Sequence, residues 1–223
     1  NSFSLGIGKD GLAGYPLIDV YLTGKELKLA AEVDASVSDF MTTARLYCSG
    51  LNFTFNPHRM ILNKVTDCYL TREDGERIEI QDDQLYRVVT DLYTGQMLGS
   101  VMEMSYGLLK IEPKDKDGNP IENLEDQAIM EGDKELKAWD AIARYMKSFD
   151  DTDGNGISNV PEYYETTHGR KVVDESRNVI DLVKNPNKFS VMIVGIVLVL
   201  ILIIILLVVL IRKLIKKRRR KKK

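Results

Sequence analysis

The run Asp151–Glu162 (DTDGNGISNVPE) is the stretch whose residue types and spacing best suit a defined chemistry. Oxygen-bearing groups recur at alternate positions around a glycine pivot: Asp151, Asp153, Asn155, the Ile157 carbonyl, Asn159 and, in twelfth place, Glu162. A hard cation such as Ca²⁺ takes about six to eight oxygens, and a closing Glu can give two of them. The run satisfies D-x-[DN]-x-[DN]-G-x5-E without mismatch. Ser158 stands where such loops usually carry an apolar residue, Pro161 precedes the last ligand, and no clear helix follows. The same residues also suit a solvated Asp/Asn/Gly turn that caps the helix before it, and the sequence leaves both readings open.

Other reactive chemistry is sparse. There are two histidines, His58 and His168, and neither has an acid or a Cys at a metal-ligand spacing. No GxSxG, GxxxxGK[ST], HExxH or paired CxxC occurs. Gly6-x-Gly8 lacks the third glycine and the preceding strand of a dinucleotide loop. The sequence therefore assigns no catalytic residue to this chain. Cys48 and Cys68 sit in strand-like runs, where each reads as a small buried hydrophobe; a cross-strand disulfide is the alternative.

The elements that must position these residues are mixed. Tyr15–Thr23 reads as a strand and Lys25–Ala35 as a helix, with Leu27, Ala30, Ala31 and Val33 near helical spacing. Leu51–Phe55 and Lys64–Leu70 read as strands, Asp74-Gly75 as a hairpin turn leading to Arg77–Ile80, and Leu85–Val89 as a further strand. Met104–Ile111 would close the β region. Lys114–Gly118 is a polar turn. Asp133–Phe149 is expected to be a helix, its stripe of Leu136, Trp139, Ile142, Ala143 and Met146 forming a docking face. The fold class is α+β.

Ser190–Ile211 is 22 residues without a charge, almost all Val, Ile and Leu. As a helix it would reach roughly 33 Å, against a hydrocarbon core of about 30 Å. Arg212–Lys223 then holds ten Lys/Arg in twelve positions. Cations flanking a span stay cytoplasmic, so the tail is expected inside and residues 1–189 outside a plasma membrane crossed once. Without the tail's ten, 21 basic residues remain against 33 acidic ones, a net of −12. Such an ectodomain is no nucleic-acid binder; the tail reads as a stop-transfer signal that touches anionic membrane lipid. Export demands a signal, yet the chain opens at Asn1. It reads as processed, or as the C-terminal piece of a longer protein.

Three runs carry a resemblance: SLGIGKDGLAGYPLIDVYLTGKELK, SGLNFTFNPHRMILNKVTDCYL and DGERIEIQDDQLYRVVTDLYTGQM. In their order the sequence resembles the C-terminal domain of 5′-nucleotidases and UDP-sugar hydrolases, secreted or surface metallophosphoesterases. It looks closest to the bacterial surface-anchored branch, with LGIG…GYPL at its start and VPEYY at its end, over roughly 3–165. The resemblance implies an upstream metallophosphoesterase domain, absent here, whose divalent metal pair activates the attacking water. It also implies a nucleotide or nucleotide-sugar substrate whose base stacks between two aromatics in the C-terminal domain. By that alignment one aromatic falls on Tyr93, which reads equally as an interdomain or core tyrosine. The other falls on Leu5, which is not aromatic. Tyr93-Thr94-Gly95-Gln96-Met97 replaces the family's Gly-Gly-Asp-Gly turn, so the aspartate that would bind the ribose is missing.

The organisation expected is a 5′-nucleotidase C-terminal-like domain over 1–149, a candidate Ca²⁺ loop and domain end over 150–165, a juxtamembrane spacer over 166–189, a transmembrane helix over 190–211 and a basic tail over 212–223. The function implied is substrate recognition and membrane anchoring for a surface hydrolase. A non-catalytic surface module with a Ca²⁺-stabilised loop is the alternative; the upstream sequence would discriminate the two.

Overall fold

A computed structural model describes residues 6–42, 45–105, 107 and 109–221. In Leu17–Thr23 (β1) the alternate residues Ile18, Val20 and Leu22 are buried. Thr23 then caps the helix Gly24–Val37 (α1). Its Oγ1 accepts the Glu26 N–H at 3.3 Å, while Glu26 Oε2 accepts the Thr23 N–H at 2.8 Å, the reciprocal box that Thr-x-x-Glu encodes. Gly24 is needed for close approach, since a Cβ there would strike the Gln81 carbonyl. Leu27 and Ala30 pack with Leu22 and Ile111, and Ala31 and Ala35 cover Phe53.

Leu51–Phe55 (β2), Val65–Thr71 (β3) and Arg77–Glu79 (β4) form an antiparallel meander, with the Asp74-Gly75 turn where the sequence puts it. β2 is not simply one-sided: Asn52 is buried beside Phe53 because its amide donates to Thr71 Oγ1 and the Gly50 carbonyl. Cys68 lies in β3, Cys48 outside any strand, and both thiols are free and half-buried. Burial pushes the Cys68 thiol up to about 12. Leu85–Asp91 (β5) returns to pair antiparallel with β1, Leu17 facing Asp91 and Thr23 facing Leu85.

Four expectations are revised. Leu92–Met104 (α2) is a helix, and the described part of Met104–Ile111 holds no strand. Asp91 starts the helix by accepting from the Thr94 N–H and hydroxyl. Helix 133–149 shrinks as well. Met130–Glu131 (β6) and Lys134–Glu135 (β7) form a small hairpin, and only Ala138–Lys147 (α3) is helical. The preceding backbone is used elsewhere: Ile129 N–H donates to the Leu17 carbonyl, and Leu17 N–H to the Leu136 carbonyl, both at 2.8 Å. These ladder bonds to β1 override helical propensity.

The third revision concerns 166–189, which is no simple spacer. Lys171–Val173 (β8) adds to the sheet parallel to β2, giving the order β4-β3-β2-β8. A short helix, Val179–Val183 (α4), follows. Last, Lys188–Lys221 (α5) is one continuous helix of 34 residues that runs past Ile211 into the basic tail. It is the one helix among the described residues long and apolar enough to cross a membrane, with a mean hydropathy of 3.9 in its apolar stretch. Phe189, at its root, is buried against Val33 and Leu109.

Candidate functional site

The segment Gly6–Gly14 doubles back on itself. Gly8 N–H donates to the Leu12 carbonyl, Gly14 N–H donates to the Gly6 carbonyl, and Ile7 bridges Ala13. Gly14 holds φ +109°, a conformation for which glycine is suited. Between this loop and the start of α2 lies a cavity of about 330 Å³, lined by Gly6, Lys9, Tyr15, Leu92, Gln96 and Glu125 among others. That is at the small end of the range for small-molecule sites.

A buried ionic triad holds the loop. Lys137 Nζ sits 3.0 Å from Asp10 Oδ1 and 2.6 Å from Glu135 Oε2, the three side chains being 2%, 3% and 5% exposed. Glu135 Oε1 accepts the Lys9 N–H at 3.1 Å, and Asp10 accepts the N–H groups of Leu12 and Glu135. A Cβ on Gly8 would collide with Glu135 and Lys137, so glycine lets the loop lie on the triad. Burial alone would raise the Asp10 carboxyl, but the Leu12 N–H, Lys137 and the Glu135 N–H outweigh it and hold it low. Burial would likewise lower the Lys137 ammonium, and its two carboxylate partners instead raise it. At the cavity rim Lys9 is raised by its hydrogen bond to Asp126.

Tyr93 follows Leu92, which lines this cavity, in the first turn of α2. Its ring is 5.6 Å from that of Tyr15, tilted by 37°, and it remains 43% exposed. Tyr15 lines the cavity directly. Gln96, Glu125 and Glu135 line the same opening, and Tyr93 adjoins it through its ring contact with Tyr15. Leu5, the position expected to face Tyr93, lies outside the described residues. The triad, Lys9 and Gln96 escaped sequence reasoning; the glycine spacing of Gly6–Gly14 was the one signal that a tight loop stood there.

The loop Asp151–Glu162 is remote in sequence from that cavity and follows α3. Asp151 accepts from the N–H groups of Gly154, Asn155 and Gly156. These, Gly156 foremost, hold its carboxyl below the usual range. Asn155 Oδ1 accepts the Ile157 N–H, and Asn159 closes the loop by accepting from Thr152 and donating its backbone N–H to the Asp150 carbonyl. Glu162 opens a 3₁₀ turn, Glu162–Glu165. The loop's ends meet in an aromatic clasp: Tyr164 packs on Phe149 at 5.6 Å and hydrogen-bonds the Tyr145 hydroxyl, and Tyr163 stacks on His168 at 3.9 Å.

Among the described residues no three His, Cys, Asp or Glu side chains gather as a metal cluster, the carboxylates of this loop included. His58 accepts from Arg177 at 3.4 Å and His168 lies in the clasp. The donor set of the described residues does not form a dinuclear metal centre.

Comparison with known proteins places residues 13–104 in the family model described as 5′-nucleotidase, C-terminal domain. The match ends at Met104, short of the 3–165 expected from the sequence. Among solved structures, the chain is similar to a 5′-nucleotidase precursor from Thermus thermophilus, with 19% identity and a TM-score of 0.47 over 73% of this chain and 26% of that one. It is also similar to the NAD nucleotidase of Haemophilus influenzae, with 20% identity and a TM-score of 0.33 over 45% of this chain and 19% of that one. No curated protein sequence matches. The chain thus spans about a quarter and a fifth of the length of those two proteins.

Proposed function

We propose that this chain, which carries a 5′-nucleotidase C-terminal domain over residues 13–104, is the substrate-recognition end and single-pass anchor of a cell-surface 5′-nucleotidase-like hydrolase. The family match carries the reading. An upstream metallophosphoesterase domain would supply the divalent metal pair and the phosphoester chemistry. This chain's part is to bind and orient a nucleotide or nucleotide sugar. Tyr93 and Tyr15 offer ring faces to the base, worth about 0.5–1.5 kcal/mol per aromatic contact. Helix α5 holds the domain in the plasma membrane with residues 1–189 outside and the basic tail in the cytoplasm, as the cation bias directs.

The loop Asp151–Glu162 is proposed as a weak extracellular Ca²⁺ site using Asp151, Asp153, Asn155, Ile157, Asn159 and Glu162. Asp151 is already fixed by three backbone N–H groups, and the clasp holds the two ends together. Ca²⁺ would draw Glu162 onto the loop and relieve repulsion between carboxylates.

The test is purification of the native polypeptide from membranes through an antibody to the ectodomain, followed by sequencing and assay. The expected result is a longer chain with a metal-dependent phosphoesterase domain ahead of Asn1 that hydrolyses AMP or a UDP-sugar. A preceding domain of another kind, with no such hydrolysis, would favour the non-catalytic surface module instead.

A further inference from the structure

The stretch between the domain and α5 contains exposed apolar side chains that its own fold does not cover. On α4, Val179, Ile180 and Val183 are 71%, 70% and 66% exposed, and on the loop after β2 Met60 and Ile61 are also open to solvent. Val179 and Val183, at i and i+4, share one face of α4, and Ile180 lies about 100° round from Val179, so the three make one broad apolar strip. Scattered exposed apolar residues need no explanation, but a contiguous group beside polar neighbours marks a binding face.

These two segments are bound into one unit, and that unit is the root of α5. Arg59 Nη2 donates to the Lys184 carbonyl at 2.6 Å, Arg59 Nη1 donates to the Asp181 carbonyl, and Arg59 Nε donates to the Asn63 carbonyl at 2.7 Å. Arg59 is 7% exposed, so the fork is a buried clamp. Asn56 Nδ2 donates to the Ser176 carbonyl at 2.7 Å. Asn187 then joins the loop to the spanning helix: its amide donates to the Leu62 carbonyl, while its Oδ1 accepts the N–H groups of Phe189 and Ser190. The carbonyl next to Ile61 therefore touches the residue that caps α5. Phe189, seated in the domain core, leaves no free tether between domain and helix.

We propose that Met60, Ile61 and the α4 strip form a membrane seat, embedded in the outer leaflet of the bilayer that α5 crosses, so that the ectodomain rests on the lipid instead of standing off on a stalk. This rests on the anchor reading of α5. The occupant follows from continuity. The uncharged run begins at Ser190, directly after the capped turn, which puts the knot at headgroup depth. Short apolar strips beside such a boundary lie in the interface with their cations toward the phosphates, and Arg177, Lys184 and Lys188 flank this one.

The test uses the full chain, with Cys48 and Cys68 replaced by Ser and Ala, carrying an environment-sensitive fluorophore on one introduced cysteine. Labels go at Ile61, Ile180, Ile157 and Val199, in phosphatidylcholine nanodiscs holding one chain each. The expected result is blue-shifted emission, quenched by lipid-borne quencher, at 61, 180 and 199, with water-like emission at 157. Water-like emission at 61 and 180 while 199 stays lipid-quenched would overturn the seat and leave the anchor standing. Water-like emission at 199 would overturn the anchor reading itself. Shielding of 61 and 180 that appears only with several chains per disc would assign the face to a second copy and also overturn the seat.

Discussion

Replacing Lys137 by Met keeps the length and volume of the side chain and deletes only its charge. The ammonium sits 3.0 Å from Asp10 and 2.6 Å from Glu135, with all three side chains nearly fully buried. Its loss leaves two carboxylates facing each other without a cation. Removing one partner of a buried ion pair costs about 3–5 kcal/mol, which for a domain of this size lowers Tm by roughly 6–20 °C. The pH profile is a second readout. In the wild type, Asp10 titrates below its ordinary value, so its contribution is present above that value and is lost as pH falls through the folded one. Lys137 is raised above 10.5, so its contribution is full below 10.5 and is lost only as pH rises through the raised value. The variant should behave differently. Burial, the largest influence on Asp10, now acts without its cation, and the Asp10 carboxyl rises. Protonation then relieves the repulsion, so the deficit against wild type should shrink below about pH 5. Trp139 reports locally, because its indole N–H donates to the Ala13 carbonyl of the loop that the triad supports. Melts of the full chain in nanodiscs, followed by Trp139 fluorescence, give both quantities. A Tm drop under about 2 °C at pH 7, or a deficit that grows in acid, would refute the argument. Converting all three residues together, as Asp10→Asn, Glu135→Gln and Lys137→Met, should recover part of the loss.

At ten times a Kd on the order of 10⁻⁴–10⁻³ M, Ca²⁺ should raise Tm by roughly 3–6 °C; wild type without a shift, or Asp151→Ala and Glu162→Gln shifting equally, would reduce the loop to a turn. Because Asp151 is held below the usual carboxylate range, its own share of calcium binding should persist in acid until pH falls through that lowered value, as a Ca²⁺ titration against pH comparing wild type with Asp151→Asn would show. Tyr93→Ala in the complete enzyme should raise KM by roughly 5–13-fold, the loss of about 1–1.5 kcal/mol of aromatic contact, while Tyr93→Phe should leave it near wild type; an unchanged KM in the alanine variant would make Tyr93 structural. Protease added to intact cells should remove the ectodomain and spare a small basic stub; survival of the domain with loss of the tail would reverse the orientation.

Where local signals and tertiary demand agreed, the fold was legible. The strand expected to end at Thr23 and the helix expected from Lys25 stand as β1 and α1, with a cap between Thr23 and Glu26 that the sequence reading passed over. Asp74-Gly75 between alternating runs gave the β3–β4 hairpin, and the charge-free run gave α5. The misses share a cause. Residues 129–136 have helical composition, yet β1 recruits their backbone groups as an edge ladder, and no local pattern records that demand. β8 is three residues long and pairs in parallel with a strand more than a hundred residues earlier, which periodicity cannot see. At α2 the sequence reading named no element; the stretch 93–97 that replaces the family's turn is helix, started by Asp91 accepting from Thr94.

The site was less legible because its parts come from distant segments. Tyr15 ends the glycine loop, Tyr93 begins α2, and the triad that steadies the loop draws Asp10 from one end of the domain and Glu135 and Lys137 from the other. The hairpin misread as helix is the element that delivers Glu135, so the error in fold concealed the support of the site. The same logic joins the two ends of the molecule. Asp34, 4% exposed, receives Lys171 at 2.8 Å and so ties α1 to β8, while Arg59 ties the next stretch of chain to the root of α5. The sheet and the root of α5 are thereby linked to α1 through buried ionic and backbone contacts. On the proposed anchor reading, a base at Tyr93 would be held at a height above the bilayer set by the fold and not by a linker.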